Sequence, residues 1–308
     1  MLYGIVWLLL IELIGISTFV IFLKPFKAIP DKGYSISKPL GILLLSLVTW
    51  LISSSKTIPV TETTAILLLI GLAACSALVG TIKWRFIKQI IKHNYRIILL
   101  IEAVFLLIYL VFLTIRYLDP GIDHTEQPMD FAFLNASINT LTGQPLDPWF
   151  KGEVISYYYF GYWIFGTLTK ISQLPSFASY NLALATIPAI TGSILFALTA
   201  IFLKISRQKF DFRVISCSLI AAACGVFMAN LQGILEFFRI NSVGSVGFWK
   251  KVCIDGMQNP VVTSVDSWRP TDFWCGSKPL ELSTILDPHA KMKASITPSM
   301  NSLFSVIF

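Results

Sequence analysis

The residues of this chain best suited to chemistry gather between Leu118 and Trp163, in the stretch LDPGIDHTEQPMDFAFLNASINTLTGQPLDPWFKGEVISYYYFGYW. Pro128 suits the first turn of a helix, and Phe131, Leu134, Ile138 and Leu141 then recur at helical spacing. The pattern predicts a short amphipathic helix lying on a membrane surface and ending near Gly143. Asp130 falls in its first turn, where the helix dipole favours an ionised carboxylate, and Glu126 lies just before it. Two carboxylates at a membrane–water boundary suit general-base work on an acceptor hydroxyl, or coordination of a hard divalent cation. On spacing alone, a solvated loop with a helix cap remains the alternative.

Downstream lies an aromatic run: Tyr157, Tyr158, Tyr159, Phe160, Tyr162 and Trp163. By residue type it reads most simply as a belt at the membrane interface. Rings with polar edges could equally line a groove for a sugar or an isoprenoid chain.

The elements that must position these residues are membrane-spanning helices. Of the chain's residues, 55% are hydrophobic and 13% charged, against roughly a quarter charged in a soluble domain. The mean hydropathy is +0.72. Crossing a hydrocarbon core takes roughly 20 apolar residues as helix, with every backbone polar group bonded internally. Seven stretches come close: Leu2–Leu23, Pro39–Ser54, Thr63–Ile82, Ile97–Ile115, Ile155–Ile171, Tyr180–Leu203 and Val214–Phe237. An eighth would start at Ser302, and the chain stops at Phe308, so a longer parent protein is expected. Leu2–Leu23 lacks a basic leader and a small-residue cleavage site and reads as a retained anchor. The expected fold class is all-α, a polytopic transmembrane helix bundle of about seven spans plus a truncated eighth.

Loop charge sets the expected orientation. Residues 24–38 carry Lys24, Lys27, Lys32 and Lys38, and residues 83–96 carry Lys83, Arg85, Lys88, Lys92 and Arg96. By the positive-inside rule these loops are cytoplasmic, which puts the N-terminus and loop 118–154 outside. That loop holds Asp119, Asp123, Glu126, Asp130, Asp147 and Glu153 against Lys151 alone. One conflict follows: strict alternation sends Lys204, Arg207, Lys209 and Arg213 outside as well. Either Ile155–Ile171 is not a full span, or that loop breaks the charge bias.

Glu12 and Glu102 lie inside predicted spans, where a carboxylate is protonated, paired between helices, or functional. The net charge of +7 is spread between apolar runs and forms no nucleic-acid footprint, so membrane lipid is the expected partner and nucleic acid is not. Cys253 and Cys275 share a polar loop and could pair in an oxidising compartment, or stay as free thiols.

Three motifs carry a family resemblance. They are Glu126 with Met129-Asp130-Phe131-Ala132-Phe133-Leu134-Asn135, then Leu146-Asp147-Pro148-Trp149-Phe150-Lys151-Gly152, then Tyr157-Tyr158-Tyr159-Phe160-Gly161. In this order they resemble the YYY family of uncharacterised integral membrane proteins, named for the tyrosine run. That family is in turn similar to the C-type glycosyltransferases, whose acidic motif sits in an external loop and whose donors are polyprenyl-phosphate-linked sugars.

The resemblance implies Glu126 and Asp130 as catalytic carboxylates. It places Asp147, Trp149, Lys151, Tyr157, Tyr158 and Tyr159 at the substrate, with Lys151 and Arg269 as candidate phosphate partners. It also implies residues 1–115 as an N-terminal four-span region, and 116–308 as a glycosyltransferase-like membrane domain, incomplete at its C-terminus. Trp268-Arg269-Pro270 fits one later motif, residues 271–300 fit poorly, and a later histidine motif is missing. The implied function is sugar transfer at the external face of the cell membrane. Transport or lipid handling is the alternative.

Overall fold

The computed structural model describes residues 2–123, 126–207 and 211–227, with 204–207 as backbone alone. Met1–Val226 forms one compact unit, to which all of the following refers. Among the described residues the regular elements are helices: α1 (Leu2–Phe22), α2 (Tyr34–Ser55), α3 (Glu62–Ile82), α4 (Trp84–Leu118), α5 (Gln127–Asn139), α6 (Tyr159–Ser172), α7 (Ser176–Arg207) and α8 (Phe212–Phe227). Five of them, α1 to α4 and α7, are long and apolar enough to cross a membrane. They match five of the seven expected spans. Val214–Phe237 is described only as far as the end of α8, and the expected eighth span lies outside the described residues.

Helices α1 and α2 form an antiparallel pair held by small residues. A side chain at Gly41 would collide with Thr18 Oγ1 and fall 2.6 Å from Ile14 Cγ2, so the absence of one lets the two backbones approach. Asp31, fully buried, starts α2: its carboxylate accepts from Gly33 N at 3.1 Å and Ser35 N at 2.9 Å. Because α2 opens at Tyr34, Lys38 belongs to the helix and not to the preceding loop.

Helices α4 and α7 also run antiparallel. Arg116 Nε donates to Asn181 Oδ1 at 2.7 Å near one end, and Gly192 abuts Ile108 further along. The N-terminal half of α1 packs into the same place, with Trp7 Nε1 donating to Thr186 Oγ1 at 3.0 Å and Tyr109 OH to Gly4 O at 3.2 Å.

These contacts sort the bundle into two ends. One gathers the start of α1, the α2–α3 turn, the end of α4, and the start of α7. The other gathers the end of α1, where Phe19 and Leu23 meet Ile87, together with the starts of α2 and α4 and the end of α7.

Helix α6 breaks the alternation. Its 14 residues span about 21 Å, short of the roughly 30 Å of a hydrocarbon core. Trp163 Nε1 donates to Ser46 O at 3.2 Å and Thr49 Oγ1 at 3.1 Å, midway along α2. Lys170, two turns later, donates to Val60 O at 2.5 Å in the α2–α3 turn. The segments on either side of α6 meet the same end of the bundle. Gly143, in the left-handed conformation (φ 82°), donates from N to Ser53 O at 2.7 Å, and Ser176 opens α7 beside that turn.

Ile155–Ile171 is therefore not a full crossing. The last turn of α7, with Lys204 and Arg207, and the start of α8, with Arg213, consequently lie at the end of the bundle that holds Lys24, Lys27 and Lys32; Lys209 lies outside the described residues. The charge conflict disappears: one end of the bundle is basic and the other acidic.

Candidate functional site

The acidic end is roofed by α5. Glu126 precedes the helix, Pro128 stands at its start, and Asp130 falls in the first turn, as the sequence predicts. The helix ends at Asn139, before Gly143. Its apolar residues do not face lipid: Phe133 and Leu134 pack with Tyr162 of α6 and with Tyr180 and Leu184 of α7. The expected surface helix is thus a lid packed on protein.

Asp130 points into this packing. Its Oδ1 accepts from Tyr162 OH at 2.5 Å, and Tyr180 of α7 lies near enough to act on the carboxylate. Burial pushes the Asp130 carboxyl above the usual range; the tyrosines oppose the shift and the nearby Glu126 charge adds to it. The dipole argument from sequence, which favoured a readily ionised group, is outweighed by desolvation. Burial beside Asp130 likewise raises the Tyr162 hydroxyl, which therefore stays a proton donor. Glu126 itself is exposed.

Aromatic side chains build a wall around Phe133. Its ring meets Trp149 edge-on at 5.4 Å and lies 5.9 Å from Tyr157 and 5.5 Å from Tyr162. Tyr158 lies tilted against Tyr157, with ring centroids 4.5 Å apart, and is 78% exposed. Tyr159 packs against the same cluster and accepts at its hydroxyl from Trp50 Nε1 of α2 at 2.9 Å. Two tyrosines of the run therefore join the wall, and the third ties α6 to α2 as well.

Asp147 shapes the turn carrying Trp149. Its Oδ1 accepts from Trp149 N at 2.8 Å and Phe150 N at 3.1 Å, and Leu146 pairs with Val154 across the hairpin. Lys151 is exposed at the tip. Arg269, and the Cys253–Cys275 pairing, lie outside the described residues.

Three residues of this end escaped sequence reading. Tyr180 sits on an apolar span with no local signal. Arg116, 5% exposed, ties α4 to α7 and donates to Gly121 O at 2.7 Å. Lys170, 5% exposed, donates to Val60 O and to Thr140 O at 2.7 Å, and burial pushes its pKa down to about 8. It lines a cavity of about 600 Å³ with Glu62, Asn135, Asn139, Gln173 and Ser176, which Asp130 does not enter.

A divalent cation does not fit the described donors. Among the described residues, no three His, Cys, Asp or Glu side chains are grouped to hold a metal, and a hard cation takes about 6 to 8 oxygens. Glu126 and Asp130 supply two carboxylates, one of them engaged by tyrosines.

Five apolar spans, a basic end and an acidic end define a multi-pass integral membrane protein. Residues 44–285 match the family described as Uncharacterized membrane protein (DUF2298), and the chain belongs to that family. No curated protein and no solved structure matches it.

Proposed function

We propose that the protein is a membrane-embedded, glycosyltransferase-like enzyme that moves a sugar from a polyprenyl-phosphate donor to an acceptor hydroxyl at its acidic end. The positive-inside rule makes that end extracytoplasmic. The observation that carries the reading is Asp130, a half-buried carboxylate above its usual pKa, held by Tyr162 beside an aromatic wall. Such a carboxylate is a better base than a solvated one. Asp130 takes the acceptor proton as the acceptor oxygen bonds to the anomeric carbon, and the lipid phosphate leaves with the bonding electron pair. Glu126, at the exposed rim, orients the acceptor. Trp149, Tyr157 and Tyr158 offer ring faces to the sugar or the isoprenoid. Lys151 is the described cation nearest in sequence to meet the donor phosphate.

The test is to substitute Asp130→Asn and Glu126→Gln in the full-length protein in lipid. Transfer from a polyprenyl-phosphate sugar falls by roughly 10²-fold or more where the residue acts as general base. Unchanged transfer in both variants rejects the assignment. The second reading, transport or lipid handling, draws on the charged cluster inside the bundle. It gains if the unsubstituted protein is inactive on a broad panel of lipid-linked sugars.

A further inference from the structure

Away from the acidic end, three charged side chains meet between helices. Lys38 Nζ of α2 lies 2.9 Å from Glu12 Oε1 of α1 and 2.5 Å from Glu102 Oε2 of α4. Tyr34 OH, one turn before Lys38, donates to the same Glu102 oxygen at 2.6 Å. The Phe105 ring closes over the ammonium at 3.8 Å. The Lys38 side chain is 8% exposed, and the fit depends on Gly15, where a Cβ would fall 2.6 Å from Lys38 Cγ.

The charges in this cluster do not balance. Two carboxylates face one ammonium, and an excess charge at membrane depth is strongly disfavoured. Both carboxylates approach the same ammonium nitrogen, so the two like charges would lie side by side. Like charges that close do not both ionise readily, so one of the two holds a proton. Glu102 accepts from both Lys38 and Tyr34, which stabilises it as the anion. Glu12 Oε1 is buried and makes no hydrogen bond; its contact with Lys38 is one of charge. Glu12 is the group left to carry the proton.

We propose that this cluster is an intramembrane proton-binding site, with one proton held on Glu12 and with Lys38 and Tyr34 fixing Glu102 beside it. Binding converts the Glu12 carboxylate and a proton from water into the carboxylic acid, with no other reactant. The groups that act on the site are Glu12 from α1, Tyr34 and Lys38 from α2, and Glu102 from α4. Loss of the proton leaves an uncompensated negative charge where these three helices meet, so proton occupancy and their packing are coupled. The site is independent of sugar transfer.

Infrared difference spectra of the full-length protein in lipid nanodiscs, between neutral and strongly alkaline buffer, test the proposal. The carbonyl stretch of a protonated carboxylic acid is expected at neutral pH, lost on alkalinisation and absent in Glu12→Gln. The folded form then carries one proton more than the unfolded, so the thermal midpoint falls as pH rises. That fall is smaller in Glu12→Gln, which mimics the protonated state. No such band in the parent protein overturns the proposal, as does a band that survives in both Glu12→Gln and Glu102→Gln. A band lost in Glu102→Gln and retained in Glu12→Gln overturns the assignment to Glu12. Should Glu12→Gln fail to fold, carbon-13 carboxyl labelling of glutamate in the parent must shift the band; a band that does not move rejects the site.

Discussion

Tyr162 and Asp130 are joined across two helices, the hydroxyl of α6 donating at 2.5 Å to the carboxylate of α5. The bond favours the ionised form and burial disfavours it, with burial the larger effect. Tyr162→Phe removes the opposing contribution and raises the Asp130 carboxyl further. The unfolded carboxyl releases its proton near pH ~3.9, while the folded one holds it to higher pH. Over that window the folded state binds more protons, and this contribution to stability is lost as pH rises through the folded pKa. Thermal midpoints across the acid range should show the loss displaced upward in Tyr162→Phe and abolished in Asp130→Asn. Identical profiles for the parent and both variants would sink the account of Asp130.

Lys170 titrates in the opposite sense. Burial lowers it to about 8, with Glu62 opposing. Between that value and the unfolded ~10.4, the unfolded chain binds more protons, so this group adds stability as pH rises. Lys170→Met should reduce that gain relative to the parent. It also strips the carbonyls of Val60 and Thr140 of a donor, at a cost of about 1–3 kcal/mol for each one left unsatisfied. Paired melting curves at neutral and alkaline pH separate the two effects; a variant as stable as the parent at both contradicts this role of Lys170.

Gly41→Ala should destabilise the α1–α2 pair by about 1–3 kcal/mol. The new methyl meets Thr18 Oγ1, which is pinned by a 2.8 Å hydrogen bond to Ile14 O and cannot easily yield. Gly71 provides the control, because a Cβ there has nothing within 4 Å. Alanine at that helical position should be neutral or stabilising by up to about 1 kcal/mol. Equal melting temperatures for the two variants would show that α1 and α2 are not so closely apposed.

The half-depth course of α6 predicts sidedness. Single cysteines replacing Lys32 and Arg213, in a background without the five native cysteines, should react with an impermeant reagent from one side of the membrane. A cysteine replacing Lys151 should react from the other. Labelling of the Arg213 and Lys151 positions from the same side would require α6 to cross fully.

Spans α1, α3 and α7 were legible because uninterrupted apolar runs leave little else to form in lipid. Boundaries were less so. Helix α2 starts at Tyr34 and α4 at Trp84, earlier than Pro39 and Ile97, because Lys38 and the basic residues of early α4 mimic loop composition. Hydropathy could not tell that α6 turns back, since an aromatic run reads alike at half and full depth; the contacts of Trp163 and Lys170 carry that information. At the site, Asp130 stood out through helix spacing, whereas Tyr180 belongs to another span and reaches it through tertiary packing alone. By composition Lys38 reads as a loop charge, which hides its pairing with Glu12 and Glu102.

That pairing has a consequence for how the protein is made. A ribosome delivers Glu12 first, then Lys38, and Glu102 only 64 residues after Lys38. At about 5–20 residues per second, that interval lasts roughly 3 to 13 s. During it, α1 and α2 can leave the translocation channel as a hairpin whose two charges cancel, sealed by Gly15 and Gly41. Helix α4 then arrives with a second carboxylate and a long apolar face, and the nascent hairpin already displays the ammonium that recruits it. The order of synthesis thus matches the order in which the charges can be neutralised.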